Sequence, residues 1–188
     1  EHAQGVMKEL LDDLGIEYKV GVDEAAFYGP KLDIQIKNVF GKEDTIVTIQ
    51  IDMLLAEKFG MYYIDENNEK VLPYIIHRTS MGCYERTLAL LIEKYAGALP
   101  TWMAPEQVRF LPVTERAVDY CKALANNLEL EGYRVTVDAR NEKIGKKIRE
   151  GQMEKIPYML VVGDRDMENG TVSPRHRAEG DLGAMDFA

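Results

Sequence analysis

Arg86 is the residue whose place in the sequence most suggests chemistry. Residues 75–86 have the pattern of an apolar strand that leads into a turn at Gly82, and apolar side chains then recur at helical spacing over residues 84–95. Arg86 falls in the first helical turn and off the apolar stripe, where the helix dipole favours an anion over a cation. An arginine there can face a bound anion such as a phosphate, or it can pair at the surface with Glu93. Geometry alone favours the surface pair.

Two alternating segments place polar side chains on one side of predicted strands. Residues 31–37 and 47–52 alternate between apolar and polar side chains, which indicates antiparallel strands with one buried face. Thr48 and Gln50 lie on the polar side, and Tyr28 precedes the first strand. A site for a small hydroxyl-bearing substrate requires such fixed hydrogen-bonding groups on rigid strands. The alternative is the solvated side of a half-open sheet.

His77 follows the next predicted strand, residues 72–76. A single histidine at a strand end is seldom a metal ligand, and Cys83 does not complete a zinc-binding spacing with it. The residues alone therefore do not assign a metal to His77.

A sixteen-residue segment beginning at Arg140 carries six basic and three acidic residues, a local net charge of +3 in a chain of −9. Lys146, Lys147 and Arg149 could follow a phosphate backbone. Arg140 and Asn141, at the entrance of the predicted helix, could hydrogen-bond bases splayed out of single-stranded RNA. The alternative, which is the more common one, is a solvated helix face with internal salt bridges.

The elements that position these residues form two groups. In the first, the sequence predicts a helix over 6–14, a helix near 53–59, a helix over 84–95, and strands over 16–20, 31–37, 47–52 and 72–76. In the second, it predicts a helix from an N-cap at Thr114 to about residue 130, a helix over 143–155, strands over 108–113, 133–137 and 158–162, and an edge strand over 171–177 that contains Pro174. The Pro-Thr-Trp-Met-Ala-Pro segment at 100–105 separates the groups, so we expect domains of residues 1–104 and 105–188.

Composition limits the class of protein. The chain has 188 residues, of which 46% are hydrophobic, and it has room for one or two folded domains. Its two cysteines are far apart in sequence, which suits a reducing compartment. No apolar run approaches the roughly 20 residues of a membrane helix. The second group lacks both G-x-G-x-x-G and the P-loop, which removes support for a dinucleotide or ordinary NTPase site.

Five runs, taken in order, resemble the threonyl-tRNA synthetases. Gly82-Cys83-Tyr84-Glu85-Arg86 is similar to the G-x-x-E-R signature of motif 3 in class II aminoacyl-tRNA synthetases. The other runs are Tyr28-Gly29-Pro30-Lys31, residues 96–105, Arg140-Asn141-Glu142-Lys143-Ile144-Gly145 and residues 157–164. The resemblance covers nearly the whole chain. It implies part of the antiparallel sheet of a class II synthetase with its helices, an α+β arrangement, followed by a mixed-sheet α/β anticodon-binding domain.

The resemblance also implies a role for particular residues. The implied catalytic residues are Arg86 and Lys31, and those implied to bind threonine and its adenylate are Tyr28, Thr48, Gln50, Gly82 and Cys83. His77 would be one of three protein ligands to a zinc ion, the other two lying upstream of Glu1. The residues implied to contact the anticodon are Asn141, Lys143, Arg149, Asp166 and Arg175. Two residues depart from the family pattern. Cys83 stands where a small Ser or Thr is more usual, and Pro174 stands where an apolar residue compatible with a strand is expected.

The implied activity is ATP-dependent activation of threonine and its transfer to tRNA(Thr) by a cytoplasmic homodimer, with Mg²⁺ accompanying ATP. Motifs 1 and 2 and the last helix of the anticodon-binding domain are absent from the sequence, so we expect the fragment alone to be inactive. Two alternatives stay open: a synthetase-like module that binds RNA without catalysis, and a relative that charges proline, histidine or glycine. A purely structural protein would leave the polar strand faces and the basic segment unexplained.

Overall fold

The computed structural model describes residues 2–187. Its contacts divide the chain into two compact units between Leu90 and Leu91, inside a continuous helix. None of the helices described is both long enough and apolar enough to cross a bilayer.

The first unit is built on a three-stranded antiparallel sheet. Its elements are α1 (His2–Asp13), β1 (Lys31–Lys37), β2 (Glu43–Asp52), α2 (Leu55–Lys58), β3 (Tyr63–Ile64), β4 (Lys70–Val71), β5 (Ile75–Arg78) and the first part of α3 (Tyr84–Tyr95), which continues into the second unit. The strand order is β1-β2-β5, and β3 and β4 form a separate short hairpin. The two alternating segments form antiparallel strands, as their pattern predicted, and the structure shows that they pair with each other.

The predicted strand over residues 16–20 is wrong. That segment has no regular secondary structure and pairs with no strand among the described residues, and Ile16 and Val20 are exposed. Alternation of apolar side chains is satisfied by any extended segment, whereas a strand also needs a partner for its backbone groups.

The second unit contains a six-stranded mixed sheet. After a 3₁₀ turn (Thr101–Met103) come β6 (Val108–Pro112), α4 (Ala117–Leu130), β7 (Val135–Val137), α5 (Ile144–Met153), β8 (Tyr158–Val162), α6 (Asp164–Asn169), β9 (Thr171–His176), β10 (Gly180–Asp181) and β11 (Met185–Asp186). The order is β10-β9-β8-β6-β7, and β11 also pairs with β9. Strands β7, β6 and β8 are parallel, and β9 is antiparallel to β8. An antiparallel sheet followed by a mixed α/β domain confirms the predicted fold class.

Helices cover this mixed sheet with two apolar clusters. Ala117, Cys121 and Ala125 of α4 pack in one buried cluster with Phe110 and Val162 of the sheet. The other cluster centres on Leu111, Ile156 and Met159, against which Ile144 and Ile148 of α5 pack.

Two local predictions in this unit need correction, and one helix was missed. Thr114 does not cap α4, because the helix begins three residues later and the Thr114 hydroxyl donates to Asp164 Oδ1 at 2.9 Å. Helix α6 was not predicted. Strand β9 is not an edge along its whole length, since β10 and β11 pair with it, and Pro174 lies buried opposite Leu160.

Side chains of the second unit hold the backbone of residues 96–104. Arg177 donates to Leu99 O at 2.6 Å, Gln107 to Thr101 O at 3.0 Å, and Lys155 to Ala96 O. Arg134 donates to both Trp102 O and Ala104 O, at 2.8 and 3.0 Å. Five carbonyl groups that precede the predicted domain boundary at residue 105 are thus satisfied by residues that follow it. The boundary itself stays a prediction.

Candidate functional site

Three predicted site residues lie side by side across the first sheet. Lys31 of β1 is paired with Gln50 of β2, and Gln50 is paired with His77 of β5. Directly paired residues of neighbouring strands point to the same face of a sheet. The hydroxyl of Tyr28 donates a hydrogen bond to Gln50 Oε1, and its ring lies 6.1 Å from that of His77 between centroids. The structure therefore brings four of the predicted residues onto one face.

Gly29 explains why Tyr28 can lie so close to β2. A Cβ atom at position 29 would lie 2.0 Å from Ile51 O, and the residue has φ of +156°. Only glycine permits this approach without displacing the strand. Two backbone bonds of 3.0 Å, Ile51 N to Pro30 O and Met53 N to Tyr28 O, then fix the turn against β2.

Asp33 is part of this polar face although the sequence analysis gave it no role. It accepts hydrogen bonds from Lys31 Nζ at 2.5 Å and from Thr48 Oγ1 at 2.7 Å. Burial opposes ionisation, but these two bonds outweigh it and lower the pKa of Asp33. The bond to Asp33 correspondingly raises the pKa of Lys31. Asp33 thus fixes Lys31 and Thr48; the signal in the sequence was its place on the polar side of the alternating strand.

Asp52 is the second residue that the sequence analysis missed. It is fully buried at the end of β2, and its Oδ1 accepts the amides of Leu54 and Leu55 at 2.9 Å each. Its Oδ2 lies 3.0 Å from His77 Nε2. Asp52 continues the polar alternation of Thr48 and Gln50, which was the available signal.

His77 has the surroundings of a single metal ligand and no more. Within residues 2–187, no group of three or more His, Cys, Asp or Glu residues is placed to hold a metal ion. A carboxylate on one ring nitrogen is nevertheless the usual support of a metal-binding histidine, and here it leaves Nδ1 for a ligand. The residues present therefore fit one ligand of a zinc site, and the zinc site stays a prediction.

Arg86 lies at the start of α3 against the first half of β2. Its Nη1 donates to Thr45 O at 3.0 Å, and no ion pair with Glu93 occurs in the described part of the chain. The guanidinium is otherwise exposed at the beginning of the helix, where the helix amides also favour an anion. Arg86 makes no hydrogen bond to the polar face around Gln50.

Gly82 determines how closely the start of α3 approaches β2. Its φ is +67°, and a Cβ atom would lie 1.9 Å from Ile46 O. The next residue, Cys83, is exposed and donates from Sγ to Glu85 Oε2 at 2.9 Å, which lowers the pKa of Glu85. Cys83 therefore points to solvent and to its own helix turn.

In the second unit, three predicted anticodon contacts are free to meet a ligand. Asn141, Lys143 and Arg149 are all exposed, in the loop before α5 and on the helix itself. None of the three side chains forms a hydrogen bond or ion pair with another of residues 2–187. They are thus available for phosphate or base contacts.

The neighbouring basic residues are not available in the way that the charge count suggested. Arg140 makes a bidentate pair with Asp138, at 2.8 and 2.6 Å, and also bonds Glu150 at 2.7 Å. These bonds, that to Asp138 first, raise the pKa of Arg140. Lys146 pairs with Glu142 at 2.6 Å, and Lys147 is 3% exposed. The prediction that Lys147 follows a phosphate backbone is therefore wrong, because its ammonium lies inside the domain.

Asp166 and Arg175 are engaged within the domain. Asp166 Oδ2 accepts Gly163 N at 2.9 Å, and Oδ1 lies 3.1 and 3.3 Å from the hydroxyls of Thr171 and Ser173. Arg175 Nη1 donates to Asp181 at 2.8 Å, while its Nε is buried without a partner among the described residues. Base contacts by these two residues stay predictions, and each would require an internal bond to be shared or exchanged.

Family models cover both parts of the chain. The model described as tRNA synthetase class II core domain (G, H, P, S and T) matches residues 2–95. The model described as anticodon binding domain matches residues 107–188.

Individual proteins match over almost the whole chain. A threonine–tRNA ligase of Clostridium perfringens (strain 13 / Type A) is 60% identical over 188 residues, which are 100% of this chain and 29% of that protein. Threonine–tRNA ligase 1 of Bacillus subtilis (strain 168) is 51% identical over 178 residues, 94% of this chain and 28% of that protein. The crystal structure of the RNA binding domain of threonyl-tRNA synthetase from Cryptosporidium parvum Iowa II superposes with a TM-score of 0.89 at 33% identity, covering 99% of this chain and 47% of that one. The chain thus spans less than a third of the length of these ligases.

Proposed function

The chain belongs to the class II tRNA synthetase core family, with an anticodon-binding domain after the core, and from this premise we propose that it is part of a threonine–tRNA ligase. In the proposed reaction the threonine carboxylate attacks the α-phosphorus of ATP, and pyrophosphate leaves. A hydroxyl of the terminal ribose of tRNA(Thr) then attacks the carbonyl carbon of the adenylate, and AMP leaves. The chain contributes one wall of the activation site and the anticodon reader.

The observation that carries the proposal is the row of Lys31, Gln50 and His77 with the hydroxyl of Tyr28 on Gln50. These groups are fixed on paired strands, so they can hydrogen-bond a small polar substrate with little reorganisation. A site that pairs with a substrate hydroxyl rejects an analogue without it far more strongly than an apolar pocket does, because its own polar groups are left unpaired. Threonine and valine differ in this way.

Arg86 supplies positive charge at the entrance of α3. Its guanidinium is held by Thr45 O at one nitrogen, which leaves the other donors for phosphate oxygens. The exposed start of α3 adds amide donors in the same place. Its proposed work is to hold the nucleotide and to stabilise charge on the phosphates during displacement.

Zinc would be held through His77 Nδ1, with Asp52 orienting the ring. When bound, the ion supplies a Lewis acid that fixes the amino and hydroxyl groups of threonine. Other parts of the proposal rest on the family resemblance. They are the two further protein ligands to zinc, the Mg²⁺ that accompanies ATP, the homodimer and the cytoplasmic location.

The test is amino-acid-dependent ATP–pyrophosphate exchange by the full-length enzyme. We expect exchange with threonine and a rate with valine lower by about a factor of 10⁴, the discrimination typical of a site that hydrogen-bonds a hydroxyl. Exchange that depends on proline, histidine or glycine would identify a different ligase. No exchange with any amino acid would leave an RNA-binding protein without catalysis.

A further inference from the structure

Lys147 is the only lysine or arginine that is buried in the part of the chain that the structure describes. It lies in the first turn of α5, on the side that packs on the sheet. Its Nζ donates to Asp138 O at 2.8 Å and to Pro112 O at 3.2 Å. No carboxylate forms an ion pair with it in residues 2–187, and the nearby Asp138 carboxylate binds Arg140. The two backbone carbonyls are therefore the groups that hold the ammonium.

An ammonium group is an unexpected choice for this position. Ile144 and Ile148 on the same side of α5 pack in an apolar cluster, so an apolar side chain at position 147 would continue their stripe. A buried ammonium is costly to desolvate unless it is hydrogen-bonded. Its bonds join two places that are distant in sequence: Pro112 ends β6, and Asp138 directly follows β7.

The bond to Asp138 fixes the base of the loop that leads into α5. Asp138 N also donates to Phe110 O at 2.9 Å, and the Asp138 carboxylate binds Arg140. Further along, Glu142 N donates to Arg140 O at 2.9 Å. Lys147 thus holds the loop from inside the domain, and Arg140 holds it from the surface.

The two exposed residues of this loop that are predicted to contact the anticodon have no such supports of their own. Asn141 and Lys143 are exposed, and neither side chain bonds to another described residue. Their positions therefore depend on the backbone on either side of them. A base contact discriminates only if its donors and acceptors are held in place before the base arrives.

We propose that Lys147 is a positioning residue for anticodon reading: by binding the Asp138 carbonyl it fixes the loop that presents Asn141 and Lys143, without touching the RNA. The proposal rests on the proposed function, since it assumes that this loop reads the anticodon. Lys147 then affects the choice between anticodons more than the general attraction to RNA.

The experiment compares Lys147→Met with wild type in the full-length enzyme, at a temperature at which both are folded. Affinity is measured for tRNA(Thr) and for the same tRNA with its anticodon replaced, at fixed salt, together with ATP–pyrophosphate exchange. Methionine keeps the length of the side chain but leaves both carbonyls unpaired. We expect the ratio of the two affinities to fall by about tenfold, the value of one base contact, while exchange is unchanged.

Two control variants distinguish a loss of loop positioning from a loss of positive charge and from a loss of folding stability. Lys146→Met removes the same charge from the adjacent, exposed position, and we expect it to weaken both tRNAs equally. Ala125→Gly destabilises the core of α4, and we expect it to leave the ratio unchanged in the folded protein. Lys147→Gln keeps one amide donor and replaces Lys147→Met in the experiment if the methionine variant does not fold. We expect its ratio of affinities to lie between those of the wild type and Lys147→Met. Amide hydrogen exchange at Arg140 and Glu142 should become faster in both position-147 variants.

The outcomes are distinguishable. An unchanged affinity ratio in Lys147→Met, or in Lys147→Gln if methionine prevents folding, would overturn the proposal, as would an equal fall of the ratio in Ala125→Gly. Wild-type enzyme that binds both tRNAs equally would overturn the anticodon assignment in the proposed function, and this inference with it.

Discussion

At the scale of single residues, the structure separates side chains that are predicted to bind a ligand from side chains that position them. Lys31 and Thr48 share Asp33, and His77 rests on buried Asp52. Among the basic residues, Arg140 is bound to Asp138 and Glu150, whereas Lys143 has no partner in residues 2–187. Residue type alone does not make this separation, because a carboxylate or a guanidinium serves equally in either position.

The prediction at this scale concerns Arg86. We expect Arg86→Ala in the full-length enzyme to slow threonine-dependent ATP–pyrophosphate exchange by about 10²–10³-fold, since it removes a charge placed to stabilise the phosphates. The matched control is Arg116→Ala, which removes an exposed arginine paired with Asp164. An exchange rate that Arg86→Ala leaves at the wild-type value would remove Arg86 from the site.

At the scale of elements, regular patterns were predicted well and irregular junctions were not. Residues 31–37, 84–95 and 158–162 form the predicted elements with the predicted bounds. Helix α6 was missed because it has only six residues, too few for a periodic pattern to show. Thr114 has the residue type of an N-cap, but its hydroxyl is used by Asp164, a contact between residues fifty positions apart.

The turn before α3 provides a prediction about an element. We expect Gly82→Ala to abolish the close approach of α3 to β2, because the added Cβ would meet Ile46 O and the residue has a left-handed φ. The cost is about 1–3 kcal/mol in unfolding free energy, with a loss of exchange activity. Gly5→Ala in α1 is the control, since a Cβ there meets nothing within 4 Å, and we expect it to be neutral or slightly stabilising. Denaturant unfolding of the full-length enzyme measures both; equal stability of the two variants would contradict the steric argument.

Residues 96–104 provide a second prediction about an element. We expect a fragment of residues 91–188 to be more stable than one of residues 105–188 by a few kcal/mol, since the shorter one lacks five carbonyls that Lys155, Arg177, Gln107 and Arg134 bind and each such bond contributes about 1 kcal/mol. Urea unfolding of the two fragments measures the difference. Equal stabilities would show that the second domain starts at residue 105, as its sequence predicts.

At the scale of the whole molecule, the proposed function requires a chain whose own net charge is −9 to bind RNA, which is a polyanion. Electrostatic repulsion over the surface as a whole therefore opposes RNA binding, and affinity has to come from local contacts. Within the basic segment of residues 140–155, ion pairs to Arg140 and Lys146 further lower the number of exposed basic groups that are free to meet RNA. Base contacts should consequently contribute a large part of the affinity, and the dependence on salt should be weak.

We therefore expect replacement of the anticodon of tRNA(Thr) to weaken binding by about 1–3 kcal/mol at fixed salt. Asn141→Ala should remove most of this difference and leave the salt dependence unchanged, because an amide carries no charge. Lys143→Ala should instead weaken both tRNAs and reduce the salt slope by about one unit. If the wild-type enzyme bound both tRNAs equally, the proposal that this loop recognises the anticodon would be wrong.

The sequence by itself determined the periodic features: which residues of a strand share a face, where α3 runs, and that strands and helices alternate after residue 105. Alternation places Thr48 and Gln50 on the polar face whichever strand lies beside them. It does not determine register, so only the tertiary structure aligned Lys31, Gln50 and His77 in one row. A charge count likewise does not say which charges are already paired, and the structure placed Lys147 inside the domain and Lys143 outside it. The physical reason is the same in both cases: periodicity is a local property of the chain, whereas register and ion pairing depend on which distant segments meet.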